Sequence, residues 1–195
     1  MTGPGSATLA RWRAETPGVA SRTHLNNAGA GLMPEPVLAA QIEHLRLEAR
    51  IGGYEAADQR ADAIADCYRA VAELIGCRPR HVAIVENATV AVAQALSSFD
   101  FEPGDVVITS QADYVSNQLM LLGLAERRGI RIARADERPE GGVDPESVAR
   151  LARDPRARLV MLTWIPTNSG LIQDVEAVGE VCAVRQLPFL IHACQ

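Results

Sequence analysis

The apolar residues of this chain change their spacing near residue 80. Before that point they recur at helical spacings. In "PEPVLAAQIEHLRLEAR" (34–50) Val37, Ile42, Leu45 and Leu47 hold helical spacing, with Pro34 and Pro36 at the opening turn. A "GG" break follows at Gly52 and Gly53, and "YEAADQRADAIADCYRAVAELIG" (54–76) resumes the pattern and closes on Gly76, a C-cap residue. The spacing predicts a helical region over 34–76.

After residue 81 the texture is one of short apolar runs separated by helical stretches. "HVAIV" (81–85) precedes "ATVAVAQALSSF", "DVVIT" (105–109) precedes "NQLMLLGLAERRG", and "IRIARA" (130–135) precedes "DPESVARLARD". "RLVMLTW" (158–164) precedes "DVEAVGEVCAVRQ", and "PFLI" (188–191) comes last. Alternation of this kind predicts an α/β fold: a mostly parallel sheet with helices on both faces.

In such sheets ligands bind at the carboxyl ends of the strands. Four polar segments follow predicted strands directly: "ENAT" (86–89), "SQADYVSN" (110–117), "IPTNSG" (165–170) and "HACQ" (192–195). "ENAT" leads into a helix, whose N–H groups and positive end suit an anion such as phosphate. The alternative is that Asn87 or Thr89 serves only as the helix cap. Tyr114, beside Asp113, Ser116 and Asn117, is an aromatic that either stacks on a planar ligand or covers the sheet end. "PTNSG" is turn chemistry around Pro166 and Gly170. Together the segments describe a pocket with a phosphate end, an aromatic wall and a polar edge.

Composition narrows the partners. The 195 residues are 48% hydrophobic and 22% charged, with a formal net charge of −5, so neither nucleic acid nor an anionic membrane is expected as a partner. No window reaches the roughly 18 consecutive apolar residues of a membrane span, and "MTGPGSATLARWRAETPG" lacks the apolar centre of a secretory signal. Four cysteines without CxxC spacing predict reduced thiols in a cytoplasmic protein and no metal ligand set. Cys194 reads as a small buried residue. All 19 basic residues are arginine; there is no lysine.

Six ordered blocks carry a resemblance: "HLNNAGAGLMPEPV" (24–37), "GGYEAAD" (52–58), "ENATVAVAQAL" (86–96), "DYVSNQL" (113–119), "PTNSGLIQDV" (166–175) and "FLIHACQ" (189–195). The chain resembles the class V aminotransferase family, fold-type-I pyridoxal-phosphate enzymes that include cysteine desulfurases, selenocysteine lyases and isopenicillin epimerase. The resemblance implies a three-layer αβα fold, the incomplete major domain of a pyridoxal-phosphate transferase preceded by N-terminal helices. It divides the chain into an N-terminal segment and substrate-side loop (1–33), a helical region (34–76) and a partial cofactor-binding domain (77–195).

It also implies roles, residue by residue. Ala88 and Thr89 would grip the cofactor phosphate and Tyr114 would stack on the pyridine ring. Thr167, with Asn168 beside it, and Gln195 would approach the phenolic oxygen. Asn26, Asn27, Ala28 and Gly29 would line the substrate side. His192 stands where the family carries the aspartate that pairs with the pyridine nitrogen. A neutral imidazole still offers that nitrogen a hydrogen bond but no compensating negative charge. The family's Schiff-base lysine has no counterpart here, so no residue is assigned a catalytic role.

Two function classes follow. The first is the N-terminal portion of an enzyme acting on a small amino acid, by transamination or carbon–sulfur cleavage, homodimeric at full length and inactive as these 195 residues. The second is a non-catalytic α/β relic or binding module that keeps a phosphate site.

Overall fold

Helical periodicity before residue 80 is realised as a succession of helices. The structure, a computed structural model, describes residues 5–194; it falls into two compact units that meet in sequence between Ile84 and Val85. The first unit contains α1 (Ser6–Ala14), a 3₁₀ turn over Pro17–Ala20, the single helical turn α2 (Asn27–Ala30), α3 (Glu35–Ile51), α4 (Gly53–Gln59) and α5 (Ala61–Leu74). Gly52, at φ +98°, makes the turn between α3 and α4, a backbone region that L-residues with a Cβ rarely enter. Beyond α5, Cys77 N–H donates to Ala72 O at 2.8 Å and Gly76 N–H to Glu73 O at 3.4 Å. With Gly76 at φ +69°, this is the Schellman closure that the sequence pattern predicts. The stretch 54–76 is not one helix, however. At Arg60 (φ −106°, ψ 13°) the backbone leaves the helical region and separates α4 from α5.

The second unit carries the sheet. Its helices are α6 (Ala88–Ser97), α7 (Val115–Arg128), α8 (Pro145–Leu151) and α9 (Val175–Arg185). Its strands are β1 (Val106–Thr109), β2 (Arg131–Arg134), β3 (Ala157–Thr163) and β4 (Phe189–His192). The strand order is β2-β1-β3-β4, and every pairing is parallel. Alternation along the strands divides the core into two layers. Val106, Ile108, Val160 and Leu162 pack with Val148 of α8 and with Val178 and Cys182 of α9. Val107, Leu159 and Met161 pack with Val92 and Leu96 of α6 and Leu121 of α7. Each fully buried aliphatic side chain of this size contributes about 1.5–3 kcal/mol. The three-layer αβα expectation is met.

One expected strand is absent among the described residues. "HVAIV" (81–85) has a strand's composition, but Pro79–His81 forms a 3₁₀ turn and Ile84 is 51% exposed. Val82 is extended (φ −103°, ψ 130°). An extended segment becomes a strand only when a neighbour completes its hydrogen-bond ladder, and this one has no ladder partner.

The order β2-β1-β3-β4 fixes where a site forms. From β1 the chain steps outward to β2, returns to the far side of β1 as β3, and steps outward again to β4. The connections leaving β1 and β3 therefore diverge, and the crevice at their carboxyl ends is the topological switch point. The opposite end of the sheet is tied by the buried Asp105, whose carboxylate lies 3.1 Å from the Arg156 guanidinium and 3.7 Å from that of Arg158. No described helix is long and apolar enough to cross a membrane.

Candidate active site at the carboxyl edge of the sheet

Period-two alternation places Thr109, Thr163 and His192, the last residues of β1, β3 and β4, on the sheet face covered by α6 and α7. Register pairs Thr163 with His192 directly. All three are buried, and each needs a hydrogen-bond partner for that reason.

Asp113, just before α7, supplies most of these partnerships. Its carboxylate accepts from Thr109 Oγ1 at 3.1 Å, from the Tyr114 N–H at 2.7 Å, from Asn117 Nδ2 at 3.0 Å and from Gln118 Nε2 at 3.4 Å. It also accepts a short hydrogen bond from the Thr163 hydroxyl. With the Thr163 proton committed to Asp113, Thr163 Oγ1 accepts from Tyr114 N–H at 3.3 Å and lies 3.4 Å from His192 Nδ1. This network selects the His192 tautomer: Nδ1 carries the proton toward Thr163, and Nε2 presents a lone pair. Burial lowers the His192 pKa from the ordinary 6.5, while the Asp113 carboxylate pulls in the raising direction. The Tyr114 ring completes the group, its centroid 5.2 Å from that of His192 at 47°.

At the other end of the crevice Asn87 is the N-cap of α6, its Oδ1 accepting from Val90 N–H at 2.9 Å. The capping reading of "ENAT" thus holds for Asn87. Thr89 instead turns its hydroxyl toward Ser116 Oγ, 3.4 Å away on α7, so the two helix starts hold a pair of hydroxyls. Ala88 and His192 line one cavity of about 330 Å³, whose other walls include Val92, Ala95 and Leu190. Thr167 and Asn168 lie exposed in the turn that begins at Pro166. Among the described residues Asn168 makes no hydrogen bond to the Asp113 group. Gln195 lies outside the described residues. In the first unit, Asn26 caps α2, its side chain accepting from Gly29 N–H at 3.2 Å. "NNAG" is therefore a capped helical turn rather than an open loop.

Sequence reasoning missed two participants, Thr163 and Gln173, and named Asp113 beside Tyr114 without its central role. Thr163 is hidden inside an apolar strand. Gln173, 3% exposed, accepts from Val143 N–H at 2.8 Å and donates to Thr163 O at 3.0 Å and Ser110 Oγ at 3.3 Å. It thereby pins three segments of the crevice rim. Its only signal is a glutamine within "LIQDV", which nothing distinguishes from a surface residue. Cys194 corrects the sequence reading in the other direction. It is exposed, not buried, and its Sγ lies 3.2 Å from His192 Nε2.

Residues 23–195 match the family described as aminotransferase class-V. The chain belongs to that family. Among curated relatives of the class-V chain, a probable hercynylcysteine sulfoxide lyase of Mycobacterium tuberculosis is 29% identical over 194 residues, covering 98% of this chain and 47% of the relative. A probable cysteine desulfurase of Methanothermobacter thermautotrophicus is 27% identical over 187 residues, 94% of this chain and 46% of its own. The solved structure of a C-DES mutant with glycine covalently linked to the PLP cofactor shares the fold at a TM-score of 0.78, with 23% identity, 93% of this chain and 48% of that one. The class-V chain spans about half the length of the curated relatives it matches.

The residues present fit the cofactor at two points. The hydroxyl pair Thr89–Ser116 beside a helix N-terminus suits a phosphate, and the half-exposed Tyr114 ring offers a stacking face. Asn117 Oδ1 is a buried acceptor without a partner among the described residues, the kind of group a bound donor satisfies. At His192, where the resemblance implies an aspartate facing the pyridine nitrogen, the side chain offers a hydrogen bond and no negative charge.

Proposed function

We propose that this chain carries the cofactor-holding part of a pyridoxal-phosphate enzyme that cleaves a carbon–sulfur bond in a cysteine-derived amino acid. The observation that carries the reading is the Asp113–Thr163–His192 network at the switch point, with Tyr114 against it. The sulfur chemistry rests on the relatives, a sulfoxide lyase and a desulfurase by name.

In this reading the first turn of α6, with Thr89 and Ser116, binds the phosphate. Tyr114 covers one face of the pyridine ring. His192 would accept at the ring nitrogen through its Nε2 lone pair, and Thr163 would hold the imidazole in that orientation. Asp113 keeps its negative charge one hydroxyl away from that imidazole. Thr167, Asn168 and Gln195 serve the phenolic oxygen, and Asn26 to Gly29 the substrate side. The cofactor, when bound, withdraws electrons from the substrate bonds next to the amine. None of the 195 residues is lysine, so covalent attachment of the cofactor falls outside what these residues supply, and by themselves they are catalytically silent. A cytoplasmic homodimer completes the proposal. Four free cysteines and the exposed Val37 and Leu45 of α3 support it.

Titration of the chain with pyridoxal phosphate, followed by amide shifts, tests the reading. Ala88, Thr89 and Tyr114 are expected to move together at millimolar ligand, and Thr89→Val to weaken the effect. Absence of any shift at those amides overturns it. Shifts at Ala88 and Thr89 that inorganic phosphate reproduces in full, with Tyr114 unmoved, favour the binding-module alternative.

A further inference from the structure

The Cys194 thiol is engaged by a base that is itself oriented. Its Sγ lies 3.2 Å from His192 Nε2, the nitrogen that the Thr163 contact leaves as a lone pair, at 3.4 Å from Nδ1 on the other side. Thr163 is anchored in turn by the Asp113 carboxylate. Nucleophile, base and orienting group in hydrogen-bond reach are the signature of an activated nucleophile. A second observation gives the thiol something to face: Cys194 and His192 line the cavity of about 330 Å³ whose walls are Ala88, Ala91, Val92 and Ala95 of α6 with Leu190 of β4. The other cysteines lack this setting. Cys182 is buried, and burial pushes its thiol up to about 11, whereas the exposed Cys67 donates weakly to Ala63 O at 3.4 Å.

We propose that Cys194 and His192 form a thiol–imidazole site that takes a small, apolar α,β-unsaturated carbonyl compound by conjugate addition. The S–H proton passes to His192 Nε2 as the sulfur lone pair forms a bond to the β-carbon. The π electrons of the C=C bond move to the α-carbon, which receives the proton from the imidazolium. A thioether forms, the imidazole returns to its neutral state, and no oxidant, reductant or leaving group is needed. Cys194 is exposed, so an electrophile reaches it directly, and the alanine, valine and leucine walls favour an uncharged adduct over a charged one. His192 and Ala88 are shared with the cofactor role proposed above, but the addition itself needs no cofactor, so it is tested on the cofactor-free chain and its failure is distinguishable from failure of that reading.

N-ethylmaleimide at limiting concentration and pH 7, with the modification of each cysteine followed by peptide mass spectrometry, provides the test. In the folded chain Cys194 is expected to react about tenfold faster than Cys67, because an adjacent base raises the thiolate character of its sulfur. In urea the two rates should converge, which separates the folded geometry from local sequence effects. A folded His192→Gln variant should lose the advantage as well. Equal rates for Cys194 and Cys67 in the folded chain, or an advantage that persists in urea, overturn the proposal.

Discussion

Thr163 and His192 are register partners on adjacent strands, and their side chains meet with Oγ1 3.4 Å from Nδ1. The threonine hydroxyl sits between a carboxylate and an imidazole, donating to the first and accepting from the second. It transmits orientation without itself carrying charge, which gives the site its first testable consequence.

Thr163→Val keeps the shape of the side chain and removes the hydroxyl. Tyr114 N–H keeps Asp113 as a partner, but His192 Nδ1 loses its own. The expected cost is about 1–3 kcal/mol of unfolding free energy, the range for leaving a buried polar group unsatisfied, measured by urea denaturation. Nitrogen chemical shifts of the His192 ring should change from a single tautomer to a mixture. An unchanged tautomer in a destabilised protein would show that Thr163 acts only by packing.

Burial lowers the folded-state pKa of His192 from 6.5, against the raising pull of Asp113; Tyr114 and Cys194 are the other titratable groups beside it. The unfolded chain therefore binds more protons than the folded one below about pH 6.5, so stability rises with pH through that window. The denaturation midpoint should fall as pH drops from 7 toward 5. In His192→Gln the slope should be shallower. An identical slope would assign the effect to other groups.

Gln173→Leu is expected to destabilise the crevice rim by about 1–3 kcal/mol, because the Val143 amide loses its side-chain acceptor in a buried setting. The local signature is faster hydrogen exchange at Val143 N–H. If that amide exchanges as slowly as before, the rim is held by something else.

Asn87→Ala removes the cap on α6 and should cost about 1 kcal/mol, with Asn87→Ser recovering most of it. Thermal denaturation compares the three proteins directly. Equal stability of the alanine and asparagine forms would mean that the 2.9 Å cap bond to Val90 N–H contributes nothing.

These residues mark how far the sequence could be read. The parallel sheet was legible because Val106–Thr109 and Ala157–Thr163 are apolar runs bounded by polar turns, and the helical region because Val37, Ile42 and Leu45 recur on one stripe. "HVAIV" misled because composition reports what a segment can pair with, whereas a strand needs the partner itself. Tyr114 and the segment holding His192 were legible as strand-end polar positions, the resemblance supplied their roles, and the structure brings their rings into contact. Thr163 and Gln173 were invisible for a common reason. Their partners are distant in sequence, and a buried polar residue looks like any other until the fold supplies its hydrogen bonds. Cys194 was misjudged because cysteines are usually buried, and strand β4 ends just before it.

The parallel arrangement also dictates when the site comes into being. Asp113 and Thr163 are 50 residues apart and Thr163 and His192 a further 29, and parallel pairing requires a whole crossover to close before either contact is made. Loop-closure entropy delays such contacts, and local ones such as α7 against β2 form first. The Tyr114–His192 ring contact is therefore late among the folding events of residues 85–194, and its appearance in a refolding trace would time the docking of β4 on β3.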